Sequence, residues 1–239
     1  MPDRDSNVNN NNNITEFRAG TKQLAIENGY PVITPEGTFV HDARAAWLVE
    51  AVEAWHTRTQ EPRYDPGWFH ASALGKTDEE LIAAYKGEAA VEEHNAQTLR
   101  IFDLGNDRDR SWKRYLAEAG VTVRTSDPDQ LRMKVNWLRL SGECDGLAVD
   151  PSGKLCIIEV KTINPFQFTK LMEPLPQHIL QVHAYMGGLG VHQSIVLYEG
   201  KGDQKIKAFY VPMDDGAWSG IVDRLQRLRA LVEGDNLSA

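Results

Sequence analysis

Cysteine is almost absent: Cys144 and Cys156 are the only two in 239 residues. Two thiols are too few for a four-cysteine zinc or iron–sulfur site, so no iron–sulfur cluster is expected. The chain also lacks any apolar run near the roughly 18 residues that cross a bilayer. Its opening residues, MPDRDSNVNN, have no apolar stretch of the kind a secretory leader carries. A cytoplasmic, reducing setting without membrane attachment is therefore expected, and a structural disulfide is not. Basic charge is in deficit as well, with 26 Lys and Arg against 34 Asp and Glu and a net charge of −8. That balance works against a coat that grips nucleic acid by overall charge, though not against one local basic groove.

What is present is ordinary for a globular chain, 41% hydrophobic and 25% charged, and long enough for one sizeable domain. Residues 1–13 read as a disordered, Asn-rich tail. Residues 14–239 read as a single domain: a mainly helical part over about 14–120, a sheet core over about 121–212 and a closing helix over about 214–233. Asp42 is placed to cap a helix running to about Thr59, with Trp47, Ala51, Ala54 and Trp55 inward. Thr77-Asp78-Glu79-Glu80 is a capping box, and a stronger helix spans about Asn106–Ala119, ended by Gly120. The pattern then changes to strands: Val121–Thr125, Leu131–Leu140 with Met133, Val135 and Trp137 on one face, Gly142–Asp150 and Leu155–Lys161. His178–Gly187 reads as a helix, and Ser194–Glu199 with Lys205–Val211 as a hairpin. Asp214 caps a final amphipathic helix with Trp218, Ile221, Val222, Leu225, Leu228 and Val232 inward. The sum is an α/β fold, a central mixed and largely antiparallel sheet flanked by helices.

Chemistry concentrates in SGECDGLAVDPSGKLCIIEVKT, residues 141–162. If Pro151-Ser152-Gly153 turns tightly with glycine in the left-handed position, Asp150 pairs with Lys154. Counting back then puts Asp145 opposite Glu159, their Cβ atoms about 5 Å apart. Two carboxylates so close repel unless a cation lies between them. Lys161, two residues on, projects from the same face, while Cys156, Ile158 and Val160 form an apolar opposite face. Asp145 and Glu159 are hard oxygen ligands for Mg²⁺ or Mn²⁺, and Lys161 can orient water and screen charge growing on phosphorus. That set suits phosphodiester hydrolysis. Asp203-Gln204-Lys205 has the same acid–x–lysine spacing, but it lies at a glycine-rich hairpin tip that cannot hold a ligand in fixed geometry. A plain strand ion pair is the competing reading of Glu159 and Lys161.

Asp145 followed by Glu159-Val160-Lys161 resembles the core signature of the PD-(D/E)XK nucleases, whose core is restriction-endonuclease-like. Gln181-Val182-His183-Ala184-Tyr185 matches the Gln-x-x-x-Tyr motif of their RecB-like branch, which includes CRISPR-adaptation and phage recombination exonucleases. Arg100-Ile101-Phe102-Asp103-Leu104-Gly105 with Trp112-Lys113-Arg114-Tyr115-Leu116 resembles that branch's leading helix. Phe69-His70-Ala71-Ser72-Ala73-Leu74-Gly75 is similar to a motif near the domain start. The resemblance covers about 68–199 and lies with the members that lack an iron–sulfur cluster.

The resemblance implies that Gln181 contacts the scissile region and Tyr185 supports it, and that Ser72 approaches DNA. It also places Asp109 where a His or Glu metal ligand usually stands, a substitution that keeps an oxygen but shortens its reach. The expected reading is a DNA exonuclease of phage-type recombination or repair using two Mg²⁺ or Mn²⁺ ions. Asp145, Glu159, the Val160 carbonyl and Asp109 would hold metal, and linear duplex or single-stranded DNA would be the substrate. A homo-oligomer or a recombination partner protein is a further expectation. An endonuclease of the same chemistry, or a silent binding module on the same fold, are the alternatives. Arg100, Arg108, Arg110, Lys113 and Arg114 can track a phosphate backbone or form a solvated helix face. Arg132 and Lys134 are open in the same way, and His178 and His183 stand between metal ligation and packing.

Overall fold

Gly153 sits at φ +84° and donates to the Asp150 carbonyl at 2.9 Å, while Asp150 N–H donates to Lys154 O at 2.8 Å. The turn forms with glycine in the left-handed position, and the register of the site follows from it. The computed structural model describes residues 32–33, 39–40, 46–58, 65–88, 94–121 and 131–235. The tail at 1–13, the Asp42 cap and most of the Val121–Thr125 strand lie outside the described residues. The chain divides into two compact units, residues 1–61 with 93–101 and residues 62–92 with 102–239.

The first unit contains the antiparallel strands β1 (Val32–Ile33) and β2 (Phe39–Val40) and helix α1 (Ala46–Arg58). The expectation that Trp47 and Trp55 point inward is not met: they are 60% and 59% exposed. Glu53 is buried instead, and its carboxylate lies 3.8 Å from Arg100 of the same unit. The ion pair turns that side of α1 inward, which apolar spacing alone could not reveal.

The second unit opens with β3 (Phe69–His70), a 3-10 turn at Ala71–Ala73 and α2 (Asp78–Lys86). The capping box is complete, Thr77 N–H donating to the Glu80 carboxylate at 2.9 Å and Glu80 N–H to Thr77 Oγ1 at 3.3 Å. Helix α3 (Ala96–Glu118) starts ten residues before the expected Asn106. Gly105 does not break it, since one interior glycine costs only about 1 kcal/mol.

Two expected strands are each broken. Leu131–Leu140 becomes β4 (Arg132–Val135), a 3-10 turn at Asn136–Leu138, and the start of β5 (Leu140–Glu143). Arg139 adopts left-handed backbone at φ 54°, the chain reverses, and Leu138 rather than Trp137 enters the core. Trp137 is 56% exposed. Gly142–Asp150 breaks at Cys144–Asp145, because β5 pairs with β3 and β4 whereas β6 (Gly146–Val149) pairs with another sheet. Asp145 therefore stands at the joint between two sheets.

That second sheet runs β6–β7–β8–β9, with β7 (Leu155–Ile163), β8 (Gln193–Gly200) and β9 (Ile206–Pro212). It is mixed, as expected: β7 and β8 are parallel and the outer pairs antiparallel. Ile157 and Ile163 of β7 join one core with Val182 and Tyr185 of α5 (Pro176–Leu189) and Leu225 of α6 (Asp215–Asp235). Cys156, Ile158 and Val160 face the other way, against Leu116 and Trp112 of α3. Each such fully buried aliphatic side chain contributes roughly 1.5–3 kcal/mol. A short helix, α4 (Pro165–Lys170), links β7 to α5. The alternation along β7 thus sorts it into two packed faces, and the two charged residues on the α5 face interrupt an otherwise apolar surface. Asp214 caps α6 as expected, its Oδ1 accepting from Gly216 N–H at 2.8 Å and Ala217 N–H at 3.2 Å.

Candidate active site

The antiparallel ladder sets Gly146 opposite Ile158. Continuing that register by one residue brings Asp145 to Glu159, but β6 has already left the sheet there. With the neighbouring strand gone, the Val160 N–H has no ladder partner, and Asp145 Oδ2 accepts from it at 2.8 Å. One edge of a strand carries both the N–H and C=O of the same residue, so the Val160 carbonyl faces this side too. Asp145 is 8% and Glu159 2% exposed.

A chain of polar contacts fixes Glu159. Lys161 Nζ lies 2.7 Å from Glu159 Oε1, and Gln181 Nε2 donates to the same oxygen at 2.8 Å. Gln181 Nε2 also donates to Tyr185 Oη at 2.9 Å, and Tyr185 in turn donates to the Glu143 carbonyl at 2.9 Å. The i, i+4 spacing of Gln181 and Tyr185 places both on one face of α5, and the network ties that helix to β5 and β7. Gly142 makes the close approach possible: a Cβ there would stand 2.7 Å from the Tyr185 ring.

Burial decides the charge state of the group. It pushes Asp145 up to about 6, with the Asp109 charge adding to the shift. Burial pushes Glu159 up to about 8 despite the neighbouring Lys161 ammonium, which works the other way. Lys161 also moves up: burial disfavours its charge, but Glu159 and the acids around it outweigh that. Cys144 is raised to about 12 by burial and by Glu159 and Asp145, so its thiol stays protonated. Glu159 Oε2 is buried with no hydrogen-bond partner. An orphaned hard oxygen beside a second carboxylate fits a divalent cation such as Mg²⁺ or Mn²⁺. Among the described residues, no three His, Cys, Asp or Glu side chains converge closely enough to hold a metal ion. Asp109 is thus near enough to act on Asp145 electrostatically without completing a three-carboxylate group.

Helix α3 borders the site through Lys113, whose Nζ is 3.1 Å from Glu143 Oε1. Its charge is felt at Asp145. Arg108 turns away, to Glu199 on β8, which also accepts from Trp112 Nε1. Glu199 is 2% exposed, and this partly buried clamp fixes the turn of α3 that bears Asp109 and Lys113. Sequence reasoning missed Glu199, although an acid directly after the apolar run Ile195–Tyr198, still within β8, carries a signal like that of Glu159. It also missed Glu143. Arg114 stacks on Tyr115 at 5.3 Å, Arg110 pairs with Asp107, and Arg100 belongs to the other unit. Ser72 is exposed on the 3-10 turn after β3. The second acid–x–lysine pair, Asp203 and Lys205, forms a solvated ion pair at 2.9 Å, both more than half exposed. His183 is a packing residue: Nδ1 lies 2.8 Å from Ile179 O, and Nε2 accepts from Asp214 N–H at 3.3 Å.

The fold resembles that of solved exonuclease structures, in keeping with the α/β fold expected from the sequence. The solved structure of an alkaline exonuclease (LHK-Exo) from Laribacter hongkongensis superposes with a TM-score of 0.52 at 19% identity, covering 78% of this chain and 93% of that one. The same exonuclease in complex with dAMP gives 0.50 at 20% identity, over 78% and 93%. A phage-related exonuclease from Haemophilus somnus 129PT gives 0.46 at 13% identity, over 70% of this chain and 96% of that one. At these identities the likeness is one of fold. No protein-family model matches the chain, and no curated protein matches it. Among the described residues, no helix is long and apolar enough to cross a membrane.

Proposed function

We propose that this chain is a metal-dependent deoxyribonuclease, acting as an exonuclease in phage-type recombination or repair in the cytoplasm. The observation that carries the reading is the buried Asp145–Glu159 pair with Glu159 Oε2 unpartnered and Lys161 held on Glu159 Oε1. Asp145, Glu159 and the Val160 carbonyl would hold Mg²⁺ or Mn²⁺, with Asp109 adding negative charge from α3. Bound there, the ion supplies Lewis acidity to a phosphoryl oxygen and acidity to a water. Gln181 orients the Glu159 carboxylate, and Tyr185 orients Gln181. Lys161 presents a fixed ammonium on the same face, where it aligns the attacking water and screens charge developing on phosphorus. The walls around the pair exclude bulk water, which strengthens each of these interactions. The fold shared with exonucleases supports exonuclease action over endonuclease action.

The metal reading has a pH signature. Asp145 and Glu159 both bind protons more tightly folded than unfolded, so they favour the folded state below the ordinary carboxylate range. That contribution is lost as pH rises through about 6 and then about 8. A divalent ion replaces those protons. Thermal unfolding should therefore show a larger Mn²⁺-induced rise in Tm at pH 8 than at pH 5.5, and Asp145→Ala should abolish most of it. An equal Mn²⁺ shift in wild type and Asp145→Ala would remove Asp145 from the site.

A further inference from the structure

His178, on the first turn of α5, has a proton position fixed by its surroundings. Its Nδ1 lies 2.7 Å from Tyr198 Oη. The same hydroxyl oxygen accepts from the Leu175 N–H at 2.9 Å. Tyr198 is fully buried, and His178 Nδ1 is the acceptor within reach of its single proton. A buried hydroxyl donates where it can, so Tyr198 gives its proton to Nδ1. The imidazole then carries its own hydrogen on Nε2, and no hydrogen bond from that nitrogen to the protein is found among the described residues. His178 is half-buried, open enough to meet a ligand.

Its position is equally defined. Tyr198 on β8 is the in-register neighbour of Lys161 on β7. Paired residues of adjacent strands send their side chains to the same face, about 5 Å apart. The Tyr198–His178 couple therefore stands beside Lys161, on the face that carries Glu159 and Gln181. Gln181 is also one turn of α5 beyond His178, so the two share a side of that helix.

We propose that His178 is a further catalytic residue, a neutral imidazole whose Nε2–H donates a hydrogen bond to a non-bridging oxygen of the reacting phosphate beside Lys161. The inference rests on the reading of the site as a phosphodiester-cleaving one. The imidazole neither gains nor loses a proton in the step. It acts as a preorganised dipole, complementing the full charge of Lys161 at an oxygen whose negative charge grows in the transition state. Burial and the Lys161 charge both hold the ring in its neutral form, down to about pH 4. Tyr198 is the positioning residue, since it selects the tautomer without reaching the substrate.

A purely structural role is the competing account, because the Tyr198 hydroxyl also satisfies the N–H of Leu175, which caps α5. The two accounts part on kinetics. His178→Ala should lower kcat on linear duplex DNA roughly 100-fold, with KM changed less than about threefold. His178→Gln, which keeps an N–H near the position of Nε2, should recover about a tenth or more of the wild-type rate. Tyr198→Phe keeps the imidazole and frees its tautomer, and it should lose roughly 10-fold in kcat. Imidazole ¹⁵N shifts read the tautomer without any substrate, and Nε2–H is the expected form. An Nδ1–H tautomer in the wild type overturns the proposal. So does a His178→Ala protein that is folded and cleaves at the wild-type rate, in which case the nuclease reading stands. A wild type that cleaves nothing overturns both.

Discussion

Glu159→Gln is expected to lower cleavage of linear duplex DNA roughly a thousandfold while leaving the protein folded. Several kcal/mol of transition-state charge stabilisation depend on a bound divalent ion, and each 1.36 kcal/mol is about tenfold in rate. The swap keeps an acceptor oxygen for Gln181 and Lys161, the two groups that now meet Glu159 Oε1. It removes the negative charge that a cation needs. Since burial already holds Glu159 up to about 8, a neutral side chain is compatible with the folded site. Asp203→Asn serves as the internal control. Its carboxylate sits in solvent at the hairpin tip with Lys205 as partner, and its loss should leave the rate within about twofold of wild type. Rates measured side by side with Mg²⁺ check both. Loss of activity in the Asp203 variant with survival of the Glu159 variant would mean that the wrong acid–x–lysine pair had been taken as the centre.

Lys161→Ala is the second large effect. The ammonium stands 2.7 Å from Glu159 and is three-quarters buried, so it is held in one place before substrate arrives. Removing such a fixed donor costs roughly 100- to 1,000-fold in kcat. On the proposed reading, binding of DNA and of Mn²⁺ should persist, because both carboxylates that would hold the ion remain in place. Loss of the positive charge also raises the proton affinity of Glu159 further, so Mn²⁺ binding should weaken most at acidic pH. Single-turnover cleavage together with Mn²⁺ titration separates these effects. Cleavage near wild type would remove Lys161 from the chemistry, and failure to fold would assign the pair a structural role instead.

The parts of this site that were readable in the sequence are local. Pro151-Ser152-Gly153 and the alternation of β7 fix the register of Asp145 with Glu159 across fourteen residues. The Gln181–Tyr185 spacing fixes one face of α5, and Thr77 and Asp214 cap their helices through contacts within three residues. The parts that were not readable depend on distant partners. Nothing near Glu199 in sequence says that Arg108 and Trp112 will meet it, nor does His178 announce Tyr198. Alternation likewise cannot tell one long strand from two that serve different sheets, which is why the break at Cys144–Asp145 was missed. That break frees the Val160 N–H for Asp145 and so shapes the site. Trp137 shows the same limit: its place in an alternating run was right by pattern and wrong by packing, because Arg139 reverses the chain.

The central claim is tested most directly by incubating the wild-type protein with end-labelled linear duplex DNA and with covalently closed circular DNA, in Mg²⁺, in Mn²⁺ and in chelator. The account predicts progressive loss of label from the linear substrate with either metal, none with chelator, and an intact circle. Cleavage of the circle would keep the chemistry and make the protein an endonuclease. Absence of cleavage of either DNA with both metals would contradict the account.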